Sequence, residues 1–107
     1  MSRKRAARRL YYRRSFLNRR GYNAGAYVIA EVELVPSNGG TDVRASVDVS
    51  DCSRLVSLDF YVGCYDGAGE RGNALHKARL LRDTMIAFTS QLELALEECV
   101  PDTDDES

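Results

Sequence analysis

The chain has 107 residues, of which 44% are hydrophobic and 29% are charged, so there is room for one small domain with its own core. The longest apolar run, residues 26–30, is far shorter than the about 20 residues of a transmembrane helix, which excludes a membrane-spanning protein. Three cysteines without a Cys-x-x-Cys spacing exclude a disulfide framework and a four-cysteine zinc module. We therefore expect a cytoplasmic protein with no cofactor and no bound metal.

The net charge of −1 hides a strong asymmetry along the chain. Residues 1–20 contain nine basic side chains and no acid, whereas residues 21–107 contain the other six basic residues and all sixteen acids. The last segment, residues 101–107, is acidic and has nothing apolar to bury, which is typical of a disordered tail. The pattern predicts a basic arm at 1–20, one folded domain at 21–100 and a disordered acidic tail at 101–107.

Three segments of the domain have the alternation of a half-buried strand. They are residues 27–35, 41–49 and 55–62, and the first two are separated by the turn sequence Pro-Ser-Asn-Gly-Gly at 36–40. Because their connections are short, the sequence predicts a three-stranded antiparallel meander. In the basic arm, the loose spacing of apolar residues permits a short helix, although like charges oppose one.

A helical pattern covers about residues 70–99. Its apolar positions step by four and three residues and form one stripe, which we expect to cover the sheet. The stripe consists of Ala74, Ala78, Leu81, Met85, Phe88, Leu92, Ala95 and Cys99. A second apolar set, Leu80, Ala87 and Leu94, lies roughly 120 to 140° around the helix and needs another partner, which is either the arm or a second copy of the chain. We predict an α+β fold, a three-stranded antiparallel β-meander packed against one long C-terminal helix, and a homodimer contact through the second set.

The basic arm is the best candidate for a functional site. Clustered arginines neutralise phosphates and release counterions, and neighbouring aromatic rings, including Tyr22, stack on exposed bases. Since nothing in the arm indicates base-specific contacts, we expect non-specific nucleic-acid binding. The candidate residues are Arg3, Lys4, Arg5, Arg8, Arg9, Tyr11, Tyr12, Arg13, Arg14, Phe16, Arg19 and Arg20.

No motif in the chain indicates an enzyme. His76 is the only histidine and has no nucleophile or acid in a recognisable register with it. The glycine-rich segment 63–72 matches neither phosphate-binding loop pattern. We expect most of the three cysteines to be small buried hydrophobic residues.

An alternative function is protein interaction through the acidic body. Its surface would be the polar sheet face, with Asp42, Asp48 and Asp59, or the second apolar set of the helix. Such a module would be an inhibitor or an assembly factor.

The order of a basic segment, three strands and a long helix is similar to that of double-stranded RNA-binding domains. The loop at 36–41 lacks the histidine of those domains, and the helix begins with Glu70, Arg71 and Asn73 instead of a lysine cluster, so we assign no family. The short strands, acidic body and basic end also resemble small accessory proteins of phages and viruses, which would imply a virion-associated location.

Overall fold

The computed structural model describes residues 6–99, and the predicted acidic tail lies outside them. It is an α+β structure with one antiparallel sheet of four strands, in the order β1-β2-β3-β4, and one C-terminal helix. Within the described range, the residues up to Leu75 form one compact unit, and those from His76 form the second. No helix in the described part is long and apolar enough to cross a membrane. The elements are β1 Arg8–Phe16, β2 Tyr27–Ser37, β3 Gly40–Asp51, β4 Arg54–Asp59 and α1 Ala68–Glu98.

The three predicted strands and the long helix are confirmed. β2 and β3 are each longer than predicted, and β4 ends at Asp59, although Val62 still bridges to Val43. Strands β2 and β3 are joined by the two residues Asn38 and Gly39, and the φ of Gly39 is 81°. This left-handed conformation explains why a glycine occupies the turn.

The prediction of three strands with an arm or a short helix was wrong, because part of the arm is a fourth strand. Residues Arg8–Phe16 form β1, which pairs antiparallel with β2. A helix would bring arginines at positions i and i+4 together, whereas the strand pairs Arg9 with Glu33 of β2 and separates the arginines onto two faces. The pairing also covers one edge of β2, an 11-residue strand. The element order therefore differs from that of the double-stranded RNA-binding domains.

The register of the strands separates an apolar face from a polar face. On the apolar face, Val28 pairs with Val49 and Ala30 pairs with Val47, which in turn pairs with Leu58. On the polar face, Glu33 of β2 lies in register between Arg9 of β1 and Arg44 of β3, and the ion pair between Glu33 and Arg44 measures 3.9 Å. The predicted alternation of the two faces is therefore confirmed by the register.

The segment after β4 is attached to β3 and to the β2–β3 turn. The backbone N–H of Cys64 donates to Asp42 Oδ1 (2.7 Å), and the Tyr61 hydroxyl donates to Asp42 Oδ2 (2.9 Å). The Tyr65 hydroxyl donates to the Asn38 carbonyl (2.6 Å). These bonds hold an irregular segment against the beginning of β3 and against the β2–β3 turn.

The helix α1 begins after Gly67, whose backbone N–H donates to Glu70 Oε1 (3.2 Å), as in one half of a capping box. No residue of α1 is buried, and the packing of the apolar stripe against the sheet stays a prediction. Its seven members within α1 are exposed apart from the half-buried Ala74 and Leu81. In the described residues the buried hydrophobic side chains are Ala26 and Val62. Seven spacings of four and three residues define a face, but burial requires a surface that covers it.

Two of the three cysteines are exposed, which contradicts the expectation of small buried residues. Cys52 occupies the two-residue turn between β3 and β4 with a φ of 59°. Cys99 follows α1, and Cys64 is partly buried. A turn and a helix end are commonly surface positions, and this accounts for the exposure of Cys52 and Cys99.

Candidate nucleic-acid interface

Strand β1 places a basic surface at one edge of the sheet. In residues 6–99, it is hydrogen-bonded to a neighbouring strand on one side only. All its side chains are exposed except that of Ser15, which is half-buried. An edge strand with many cations is protected from pairing with another strand, and the same cations are accessible to an anionic ligand.

A register shift between Arg9 and Tyr11 decides which way the arginines of β1 point. Leu10 is the additional residue of this β-bulge and is 54% exposed. Because of the bulge, Arg9 pairs with Glu33 and shares the polar face with Tyr12 and Arg14. Strict alternation would have put Arg9 on the opposite face from these residues.

On the polar face of β1, arginines alternate with aromatic rings. The guanidinium carbon of Arg9 lies 4.5 Å from the ring centroid of Tyr12, and that of Arg14 lies 5.6 Å from the centroid of Phe16. Arg9 also forms an ion pair with Glu31 on β2 (2.9 Å). These contacts orient the arginines, although an exposed ion pair and a surface cation–π contact each contribute at most about 1 kcal/mol.

The other side of β1 carries two further arginines. Arg8 pairs in register with Leu34, and Arg13 pairs with Ala30, so both lie on the apolar side of the sheet. Arg13 Nε donates to the Ser15 hydroxyl (3.0 Å), which leaves its two terminal nitrogens accessible. In the described residues, no ion pair with an acid holds Arg8, Arg13 or Arg14. The basic edge therefore projects guanidinium groups on both sides of the strand.

The connection between β1 and β2 holds two more predicted arginines. Arg19 and Arg20 lie in a turn in which the N–H of Tyr22 donates to the Arg19 carbonyl (3.0 Å). Gly21 has a φ of 96°, which this turn requires. The loop is fixed further on, where Asn23 Oδ1 accepts the N–H of Gly25 (2.6 Å). The two arginines are therefore presented at the exposed tip of a structured connection.

The structure brings most of the predicted site into one β-hairpin. Arg8, Arg9, Tyr11, Tyr12, Arg13, Arg14 and Phe16 lie on β1, and Arg19 and Arg20 lie in the connection to β2. Arg3, Lys4 and Arg5 lie outside the described residues. Sequence reasoning missed Glu31 and Ser15, which orient Arg9 and Arg13. The alternation of apolar and polar residues in β2 could have predicted Glu31. It places acidic side chains on one face of the sheet, beside the side chains of any strand that pairs with β2.

The acidic face of the alternative function is present, but two of its acids bind groups of the same chain. Asp42 accepts two hydrogen bonds, and the bond from the Cys64 N–H, followed by the one from Tyr61, lowers the pKa of the Asp42 carboxyl below its usual value. Asp59 Oδ1 accepts the N–H of Tyr61 (3.0 Å). Asp48 lies on the same face. These observations favour the basic edge over the acidic face as a binding surface.

His76 is exposed on α1, and in residues 6–99 no three His, Cys, Asp or Glu side chains are placed to hold a metal ion. The predicted dimer contact, Leu80, Ala87 and Leu94, is exposed on α1.

Comparisons with protein-family models, with curated protein sequences and with solved structures found no match to this chain.

Proposed function

We propose that the protein is a small non-catalytic accessory protein that binds nucleic acid non-specifically through β1 and the β1–β2 connection. The observation that carries this proposal is the edge strand with exposed arginines on both faces, of which Arg9 alone is ion-paired within the described residues. Guanidinium groups form bidentate hydrogen bonds with phosphate oxygens, and the arginines of β1 are partly oriented before binding.

The aromatic residues of the same hairpin support binding to unpaired bases. Tyr11 is 48% exposed and Tyr22 is 71% exposed, so their rings are accessible for stacking. Tyr12 and Phe16 each have one arginine over the ring and are 45% and 58% exposed, so a base can also reach part of each ring. We expect affinity for single strands to exceed that for duplexes, because duplex bases do not offer their faces.

Deletion of the arm is a poor test, because it removes β1 and uncovers the edge of β2. The substitutions Arg13→Gln and Arg14→Gln, made together, remove two cations from the two faces of β1 and leave its backbone pairing intact. The matched control, Arg54→Gln with Arg79→Gln, removes the same net charge from exposed positions on β4 and α1.

Binding is measured by fluorescence anisotropy with labelled single- and double-stranded DNA and RNA at several salt concentrations. For the β1 variant we expect an affinity loss of about tenfold for each arginine, if each phosphate contact contributes about 1.4 kcal/mol. The slope of log K against log salt becomes less negative by about 1.4 to 1.8, which corresponds to two lost phosphate contacts. The control variant keeps the parent slope.

Two results would overturn the proposal. One is no binding of any oligonucleotide by the parent chain at low salt. The other is an equal loss in both variants, which would attribute the binding to net charge and not to the geometry of β1.

A further inference from the structure

The apolar stripe of α1 repeats every seven residues without interruption. In heptad notation, Ala78, Met85 and Leu92 occupy a positions, and Leu81 and Phe88 occupy d positions. Met85 is 50%, Phe88 55% and Leu92 43% exposed. A helix with a sustained a/d repeat is the unit of a coiled coil, since each a or d side chain fills a hole on a facing helix. We name this row, from Ala74 to Cys99, the heptad seam.

We propose that the heptad seam binds the α1 helix of a second copy of this chain in an antiparallel two-stranded coiled coil. In this arrangement each a residue faces a d residue of the partner. The two-fold axis crosses the dimer at the level between residues 86 and 87. Large side chains then meet at the centre, and small ones meet at the two ends. The layers pair Met85 with Phe88 of the partner subunit, Leu81 with Leu92 of the partner subunit, Ala78 with Ala95 of the partner subunit and Ala74 with Cys99 of the partner subunit.

The flanking positions favour a second copy and the antiparallel direction. At g positions, Lys77 lies opposite Glu98 of the partner subunit, which gives two pairs of opposite charge across the dimer. At e positions, Leu75 lies opposite Leu96 of the partner subunit, which extends the apolar contact. A parallel pair would instead set Lys77 against Arg82 of the partner subunit, so like charges would face each other twice.

The set Leu80, Ala87 and Leu94 is separate from this contact. These residues occupy c positions, which lie outside the a/d seam of a two-stranded coiled coil. Leu92 and Leu94 therefore provide a matched pair of test sites. Both are exposed leucines on the same turn of α1, 43% and 50% exposed, but only Leu92 belongs to the heptad seam.

The oligomeric state of the full chain is measured by sedimentation equilibrium without nucleic acid, so the result is independent of the proposed function. We expect a dimer at micromolar concentration. Leu92→Glu raises the dissociation constant by about a hundredfold or more, because it buries a carboxylate in two layers, whereas Leu94→Glu leaves it within about threefold. A monomeric parent chain, a trimer or tetramer, or a larger loss with Leu94→Glu overturns the proposal.

A charge exchange tests the direction without disturbing the seam. Lys77→Glu and Glu98→Lys each weaken the antiparallel dimer, by about tenfold at low salt, and the double variant restores the parent affinity. In a parallel dimer, Lys77→Glu faces Arg82 of the partner subunit and tightens the association. The opposite sign of this one substitution overturns the antiparallel arrangement.

Crosslinking tests the register in a background where the three native cysteines are replaced by serine. Equal amounts of an Ala78→Cys chain and an Ala95→Cys chain are mixed and oxidised with diamide. The antiparallel register yields a disulfide-linked dimer of the two different chains and little of either chain alone. Disulfide-linked dimers that form from each single variant separately would place identical residues opposite each other and overturn the proposal.

Discussion

In the sheet, irregular segments are held by hydrogen bonds between identified groups, such as the two bonds to Asp42 and the bond from Tyr65 to the β2–β3 turn. In α1, the backbone is satisfied within the helix, but no side chain is buried. The sheet is therefore specified by contacts within the chain, whereas the apolar side chains of α1 form the heptad seam, for which we propose a second copy of the chain as the partner. The same type of substitution should then have opposite effects in the two regions.

The largest effect is expected at the β2–β3 turn. Gly39 has a φ of 81°, and a Cβ atom there would collide with the Tyr65 hydroxyl. Gly39→Ala should lower the free energy of unfolding by about 1–2 kcal/mol from the left-handed backbone alone, and by more from the displaced tyrosine. Chemical denaturation measures this change.

A matched control separates the two contributions. Gly21 also has a positive φ, of 96°, but a Cβ there meets nothing within 4 Å. Gly21→Ala therefore reports the backbone cost, and Tyr65→Phe should reduce the additional cost at Gly39. An equal loss in the two alanine variants would show that the contact with Tyr65 has no energetic effect.

The β3–β4 turn offers a gain in stability within the sheet. Cys52 adopts a φ of 59°, a region that L-residues with a Cβ occupy at a cost. Cys52→Gly should raise the free energy of unfolding, because glycine adopts the left-handed conformation without the cost of about 1 kcal/mol or more that a Cβ imposes. The greater entropy of glycine in the unfolded chain offsets part of this gain. Thermal and denaturant unfolding measure the gain. Cys52→Ser, which keeps the Cβ, should give none, and a gain with serine would attribute the effect to the thiol.

In α1 the glycine-to-alanine change should stabilise. Gly72 lies in the helix, and a Cβ there meets nothing within 4 Å. Gly72→Ala should stabilise the helix by about 0.5–1 kcal/mol, because alanine loses less backbone entropy than glycine. Circular dichroism at the helical minimum during thermal unfolding measures this gain. A loss of stability would mean that another surface approaches α1 closely at this position.

The smallest effect is expected from the pH dependence of the bond between Asp42 and Tyr61, because Tyr61 is exposed and Asp42 is only half-buried, so water weakens their interaction. The folded state lowers the pKa of Asp42, chiefly through the Cys64 N–H, and raises that of Tyr61, chiefly through the hydrogen bond to Asp42. The contribution of Asp42 to the free energy of unfolding is therefore complete above about pH 4, and it is lost as the pH falls through the pKa of Asp42 in the folded state. The contribution of Tyr61 to the free energy of unfolding is complete below about pH 10, and it is lost as the pH rises through the pKa of Tyr61 in the folded state.

Unfolding temperatures measured across the acid and alkaline limbs test this pair. Asp42→Asn should flatten the acid limb relative to the parent, and Tyr61→Phe should flatten the alkaline limb. Unchanged limbs in both variants would show that other groups dominate the pH dependence of stability.

The sequence alone determined the class of the fold and three of its strands. The alternation in residues 27–35, 41–49 and 55–62 has the period of strands, and short turns leave an antiparallel meander as their simplest connection. The helix was equally evident, because its apolar positions hold one period for seven steps. The sequence also determined which residues form the candidate site. The concentration of arginines in the first twenty residues can be seen without knowing any tertiary contact.

Only the tertiary structure decided that the basic arm includes a strand and that Arg9 faces Glu31. Strand pairing depends on hydrogen bonds between segments distant in the chain, and a single additional residue at Leu10 reverses the face of each residue before it. Burial was likewise not determined by pattern. The sequence shows which face of α1 is apolar, but the exposure of that face depends on which surfaces the chain folds against it, and in α1 no side chain is buried.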